Sequence, residues 1–209
     1  MSLASLLTSL SGLWAIRADA LTNLADSLQH LADMPEAASA RAGASRAEDN
    51  PPYRMDGSLA IVPVTGTLTK NGLRFWGLDL LTSMRGISAA LRRAEADPAV
   101  RAILLDVDSP GGSVDGIEEL AGAVAAVGAG KPLYAYADGL MASAAYWLSC
   151  GAREIAAPAT AEVGSIGVVM MHREVSKALD EYGVKYTVIA AGHYKAAGNS
   201  VEPLSDDMR

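Results

Sequence analysis

One serine sits where the chain changes character. Gly139-Leu140-Met141-Ala142-Ser143-Ala144-Ala145-Tyr146-Trp147-Leu148 starts at a glycine, passes through small residues and enters a helix-like apolar run. Such a pattern can expose a nucleophile. Small neighbours let a peptide backbone approach, and a helix start offers N–H groups without intrahelical partners together with positive potential. Ser143 taken alone reads as an N-cap, because a hydroxyl attacks only when a base takes its proton. The bases within reach of the same domain are His172, His193 and Lys195, while His30 lies outside it. A second stretch, Asp108-Ser109-Pro110-Gly111-Gly112-Ser113, suits either a tight turn or a set of backbone N–H groups facing an anion. It is not a phosphate loop, since no Gly-x-x-x-x-Gly-Lys-Ser/Thr spacing accompanies it. The third stretch is Gly192-His193-Tyr194-Lys195.

The elements that must position these residues alternate. Apolar runs predict strands over 59–64, 102–107, 132–137, 155–157, 166–170 and 186–190. Stripes at helical spacing predict helices over 78–95, 113–127, 143–149 and 173–182. In the first of these helices Leu80, Leu81, Met84, Ile87, Leu91 and Ala94 share one face, and Asp97-Pro98 stops it. Alternation of this kind predicts an α/β fold with crossover connections and a largely parallel sheet. Sites in such sheets form beyond the carboxyl ends of strands, which is where residues 109–112, 138–143 and 191–195 all fall. Residues 67–77 predict a loop with Phe75 and Trp76 as a hydrophobic flap. Residues 1–33 predict a helical segment, with Leu21, Leu24, Leu28 and Leu31 recurring at three- and four-residue steps. The Ala-, Ser- and Pro-rich stretch 34–56 predicts a linker, and the folded domain is expected over 57–209.

The totals narrow the class. With 209 residues, half of them hydrophobic, the chain can bury a sizeable core. Seventeen basic against twenty-four acidic residues give a net charge of −7, which argues against a nucleic-acid surface. One cysteine, Cys150, excludes an intrachain disulfide and reads as a small buried residue, a composition suited to a reducing cytoplasm. No apolar run approaches the roughly 18–20 residues of a membrane helix, and Arg17 follows the first apolar stretch rather than preceding it, so no membrane anchor or secretory signal is expected.

Four motifs, in order, resemble a known family. They are Asp106-Val107-Asp108-Ser109-Pro110-Gly111-Gly112, Ala142-Ser143-Ala144-Ala145-Tyr146-Trp147, Val163-Gly164-Ser165-Ile166-Gly167-Val168 and Gly192-His193-Tyr194-Lys195-Ala196-Ala197-Gly198. Together residues 59–204 resemble the serine-lysine proteases that include signal peptide peptidase A and the phage head-maturation (minor capsid) proteases. The resemblance implies the Clp protease/crotonase-like superfold, with repeated β-β-α units. It implies Ser143 as nucleophile, Lys195 as base and Ser165 as the serine that orients the lysine. Gly111, Gly112 and Ala144 would supply the oxyanion hole, and no metal or cofactor is implied. Ala144-Ala145 stands where signal peptide peptidases typically carry Gly-Gly. The Ala-Ala-Tyr-Trp version and the missing anchor resemble the phage branch. The chain ends at Asp206-Asp207-Met208-Arg209, where related sequences begin another helix, so a truncated fragment is expected.

The implied mechanism is an acyl-enzyme. Lys195 must be neutral to accept the Ser143 proton, and free lysine titrates near about 10.4, so an apolar cleft has to disfavour its charged form. The expected substrate is a polypeptide, a capsid scaffold or a signal-peptide-like segment, lying extended against a strand edge. A shallow pocket would favour small or apolar side chains. The expected assembly is a homo-oligomer, and the expected setting is the cytoplasm or a phage prohead. Within the class, capsid maturation leads over a soluble signal-peptide-peptidase-like bacterial protease. Rival readings are a non-catalytic capsid or scaffold component, a Clp-type Ser-His-Asp enzyme using His172 with Asp180, and a crotonase-like acyl-CoA enzyme.

Overall fold

The computed structural model describes residues 13–17, 19–20, 23, 53–75 and 78–208. They fall into two compact units, Met1–Val169 and Met170–Arg209. In the first unit β1 (Leu13–Ile16), β2 (Arg54–Asp56), β3 (Leu59–Thr65), β4 (Leu68–Thr69), β5 (Leu73–Phe75) and β6 (Leu78–Ser83) precede helix α1 (Met84–Ala96). Then come β7 (Ala102–Ser109), β8 (Gly111–Ser113) and α2 (Ile117–Gly130), followed by β9 (Leu133–Ala142) and α3 (Ala144–Ser149). Two short strands, β10 (Ile155–Ala156) and β11 (Glu162–Gly164), complete it.

The apolar runs form the parallel core. β3, β7 and β9 lie side by side in parallel, β2 caps one edge antiparallel, and β10 and β11 both pair in parallel with β9. Burial alternates along β7 and the first half of β9, as a pleat with one covered face requires, while β3 also buries Ile61 on its other face. Ala60, Val62 and Val64, then Ile103, Leu105 and Val107, then Leu133, Ala135 and Ala137 are all buried. Leu91 of α1 and Leu120 and Val124 of α2 belong to the same core. Each fully buried aliphatic side chain contributes about 1.5–3 kcal/mol relative to exposure. A second set of strands runs in the order β1-β8-β4-β6-β5. β7 passes into β8 and then α2, and β3 into β4 and, after the β5–β6 hairpin, α1. These are the expected β-β-α units of an α/β fold.

Several boundaries differ from the sequence reading. Residues 78–83, expected as helix, are β6. The Leu80-Leu81-Met84 spacing fits both periods, and Ser83 ends the strand by capping α1, its Oγ accepting the Gly86 N–H at 3.1 Å. Residues 13–16, expected as helix, are β1, paired antiparallel with β8, whereas Asp19, Ala20 and Asn23 are helical. Residues 53–56, expected as linker, belong to the fold. Tyr53 is buried, its hydroxyl donating to Asp97 at 3.0 Å, and Gly57, at φ 58°, turns β2 into β3. The expected linker 34–52 and Trp76 of the expected flap lie outside the described residues. Of the strand expected over 166–170 only Val169–Met170 is extended.

In the second unit the expected helix is shorter, α4 (Ser176–Glu181). Residues 186–190 do not form the expected strand. Tyr186 and Ile189 are exposed there, and a β-branched run without a ladder partner has nothing to hold it extended.

Gly112 is fixed by packing. A Cβ at this position would lie 1.9 Å from the Leu68 carbonyl oxygen, backbone against backbone, where β4 and β8 pair. Gly112→Ala is therefore expected to lower stability by about 1–3 kcal/mol or more. Gly122→Ala in α2, with nothing within 4 Å of its Cβ, is expected to be neutral or stabilising. Thermal melts of the two variants beside wild type check the contrast.

Candidate active site

The serine rim is built by β9 and β11. β11 pairs with the end of β9, Glu162 to Leu140 and Gly164 to Ala142, and the ladder continues one step as Ser143 N–H donates to Gly164 O at 2.7 Å. β9 stops there because α3 begins. Ser143 O accepts the Trp147 N–H at 2.8 Å. Between these two bonds Ser143 is held at φ 54°, ψ −114°, a region that glycine favours and an L-residue enters at a cost of about 1–3 kcal/mol. Among the described residues only Ser143 and Ser165 are non-glycine residues at positive φ. Ser143 is the N-cap residue of α3 by position, but its side chain makes no capping hydrogen bond. Its Oγ points instead to Gly167 O at 3.5 Å, a long contact, and the residue is 6% exposed.

Strand, strained serine and helix in this order make a nucleophile elbow in the geometric sense. Ala144 and Ala145 are fully buried, which is why small residues follow the serine, and α3 packs on α2 and on β8. The Gly-Gly turn sits on the same rim. Ser109 pairs with Met141 across β7 and β9, so Gly111 and Ser143 each follow two residues after a paired position. Ser109 is a residue that the sequence reading did not single out. Fully buried, its Oγ donates to Gly66 O at 2.6 Å and accepts the Gly111 N–H at 3.2 Å. The N–H of Gly111 is thus engaged by Ser109, and Gly112 sits in the ladder opposite Ala15 and Leu68.

An apolar cavity of about 350 Å³ adjoins Ser143, lined by Tyr146, Trp147, Cys150, Ile166, Gly167 and Val168. Cys150 is exposed there, not buried as expected. One turn of α3 separates Ser143 from Trp147, and the motif after Ser165 supplies the opposite wall. The spacing Ser-x-x-Tyr-Trp carries this signal, but only the position of the 165–168 loop turns it into a pocket.

Ser143, Ser165, Gly111, Gly112 and Ala144 thus share the first unit. Ser165 follows directly on Gly164, whose carbonyl holds Ser143. Lys195 belongs to the second unit, exposed in a turn where its N–H donates to Gly192 O at 3.2 Å. His172 and Asp180, the rival pair, do not bond each other. His172 Nε2 meets Asn199 O at 2.9 Å. His193 faces Asp207 at 3.1 Å. The Ser205 hydroxyl and His193 hold the Asp207 carboxyl below the usual range. Among the described residues no cluster of His, Cys, Asp or Glu could hold a metal, and no helix is long and apolar enough to cross a membrane.

Residues 125–209 match Peptidase family S49. The chain is similar to capsid assembly protease C of Escherichia phage lambda, 38% identical over 75% of this chain and 36% of that protein. It is similar to the head-tail preconnector protein GP5 of Enterobacteria phage P21, 38% identical over 75% of this chain and 31% of that protein. It is also similar to Protease 4 of Salmonella typhi, 34% identical over 88% and 29%. The chain therefore spans about a third of the length of these relatives. Among solved structures it resembles an enoyl-CoA hydratase/isomerase family member, at TM-score 0.45 and 17% identity over 65% of this chain and 53% of that one. A membrane protease of Pyrococcus horikoshii specific for a stomatin homolog gives TM-score 0.35 and 20% identity over 49% of each chain. These last two likenesses concern the fold and say nothing about chemistry.

Proposed function

From a chain with the family S49 peptidase match over residues 125–209 and with protease relatives, we propose a serine endopeptidase that works through a Ser143–Lys195 dyad and an acyl-enzyme. The observation that carries the reading is the backbone of Ser143. A serine held at φ 54° between a strand end and a helix start, with its hydroxyl uncommitted to a cap, has no packing reason to be there.

In this reading Ser143 Oγ attacks the scissile carbonyl while Lys195 Nζ takes its proton and returns it to the leaving amine. Water then cleaves the ester by the same route. The N–H groups of Ala144 and Gly112 meet the oxyanion, a contribution of about 3–4 kcal/mol per donor elsewhere. Ser165 orients the lysine without adding negative charge. The phage relatives favour capsid maturation inside a prohead, with a scaffold or capsid segment as substrate and a homo-oligomeric enzyme. Exposed Met170, Met171, Tyr182 and Ile189 suit burial between subunits.

The test is cleavage of an unstructured polypeptide followed by mass spectrometry, wild type beside Ser143→Ala. Products from wild type alone support the reading, and equal products from both overturn it. The apolar cavity adds a specificity. Peptides with Leu or Phe next to the scissile bond are expected to be cleaved roughly 10–100-fold faster than those with Asp, and Trp147→Ala is expected to narrow that ratio. kcat/KM on a peptide series measures it.

A further inference from the structure

Among the described residues two serines are fully buried, Ser109 and Ser149. Ser149 bonds back within its own helix, to Ala145 O at 2.7 Å, a common local bond for a helical serine. Ser109 instead joins two turns that are far apart in sequence. Its Oγ donates to Gly66 O, 43 residues earlier, at 2.6 Å, and accepts the Gly111 N–H at 3.2 Å. Gly66 lies between β3 and β4, and Gly111 opens β8 after β7. Both stand at positive φ, 64° and 102°, where glycine alone is free of strain.

Each of the two peptide groups that meet at Ser109 is held from more than one side. The Gly66 N–H donates to Asp108 O at 2.9 Å while its carbonyl takes the Ser109 hydroxyl. The Pro110–Gly111 peptide gives its N–H to Ser109, and its carbonyl accepts the Arg17 N–H at 2.9 Å. Ser109 is also paired through its backbone with Met141 of β9, two residues before Ser143. The hydroxyl thus sits where the ends of β3, β7 and β9 meet.

The chemistry of the rim calls for such a tie. Two glycines in a row form the least constrained backbone a chain can have, and backbone donors stabilise a developing oxyanion only when they are in place before the charge appears. Pro110 has no N–H with which to hold the turn. We propose that Ser109 is a positioning residue for the reaction at Ser143: its hydroxyl, anchored on Gly66, fixes the Gly111–Gly112 backbone relative to the end of β9. This rests on the endopeptidase reading. Being fully buried, Ser109 meets no substrate and acts only through Gly111.

The experiment compares wild type with Ser109→Ala, Ser109→Thr and Ser109→Cys in the full chain. It reads kcat and KM on a cleaved peptide, the rate of fluorophosphonate labelling and the melting temperature. Ser109→Ala removes both bonds without adding an atom. At a temperature where every variant is folded it is expected to lower kcat and the labelling rate together by roughly tenfold, with KM within about twofold of wild type. That is less than the ~10²–10³ lost elsewhere with a whole oxyanion donor, because the donors are loosened and not deleted. Ser109→Thr keeps the hydroxyl and is expected to recover most of the rate. Ser109→Cys, a weaker donor and acceptor, is expected to fall between Ala and wild type, and it carries the rescue arm if the extra methyl group of Thr prevents folding. A lower melting temperature with kcat unchanged makes Ser109 a packing residue and overturns the proposal. A rise in kcat for Ser109→Ala overturns it too, since the hydroxyl would then be keeping the Gly111 N–H from the oxyanion. A labelled wild type with Ser109→Ala labelled equally fast sinks the positioning role alone, whereas a folded wild type that takes no label sinks the endopeptidase reading on which it rests.

Discussion

Ser143→Ala is expected to lower peptide hydrolysis by at least about 10³-fold while leaving the melting temperature close to wild type. The residual rate would be what the oxyanion donors and binding sustain without a nucleophile. The backbone of Ser143 adds a second arm that a surface serine would not show. At φ 54°, ψ −114° an alanine keeps the strain and a glycine releases it. Release of about 1–3 kcal/mol, less the roughly 0.5–1 kcal/mol that glycine costs through the unfolded chain, leaves Ser143→Gly between equal to wild type and about 2.5 kcal/mol more stable. Both variants are inactive, and only one melts higher. A serine whose replacement by glycine destabilises the protein would not be a strained elbow.

Lys195→Ala is expected to lower kcat by about 10²–10⁴-fold, the range of a general acid–base group. In the proposed dyad nucleophile and base act as one unit, so Ser143→Ala with Lys195→Ala should be no worse than Ser143→Ala alone. A base accepts a proton only in its neutral form. Lys195→Arg does not rescue, since a guanidinium stays charged. His193→Ala and His172→Ala should stay near wild type, although His193 has a carboxylate partner in Asp207 and His172 a backbone carbonyl in Asn199. Steady-state rates across pH for the four variants settle the assignment. If the loss follows His172 or His193 and spares Lys195, the base has been misassigned.

The serine rim was legible because two different signals agreed on it. Gly139 through Leu148 reads as strand, turn and helix, and Ser-Pro-Gly-Gly reads as a turn at the end of the neighbouring strand. Residue types could not reveal the conformation of Ser143, which depends on Gly164 and Trp147 closing on it from both sides. β6 was missed because Leu80, Leu81 and Met84 satisfy a helical stripe, and the period alone does not show where Ser83 caps α1. β1 was missed for a stronger reason. The leucine repeat around it is helical in pattern, and the partner that makes residues 13–16 a strand lies about a hundred positions away in β8. Tyr186 to Ala190 shows the converse, a good strand pattern that pairs with nothing in its own unit.

The most direct measurement is covalent labelling with a fluorophosphonate, read by intact mass, on wild type, Ser143→Ala, Lys195→Ala, His172→Ala and His193→Ala. The dyad predicts one adduct on wild type and on both histidine variants, none on Ser143→Ala, and strongly slowed labelling of Lys195→Ala. Labelling that survives Ser143→Ala, or a folded wild type that takes no label, would contradict it.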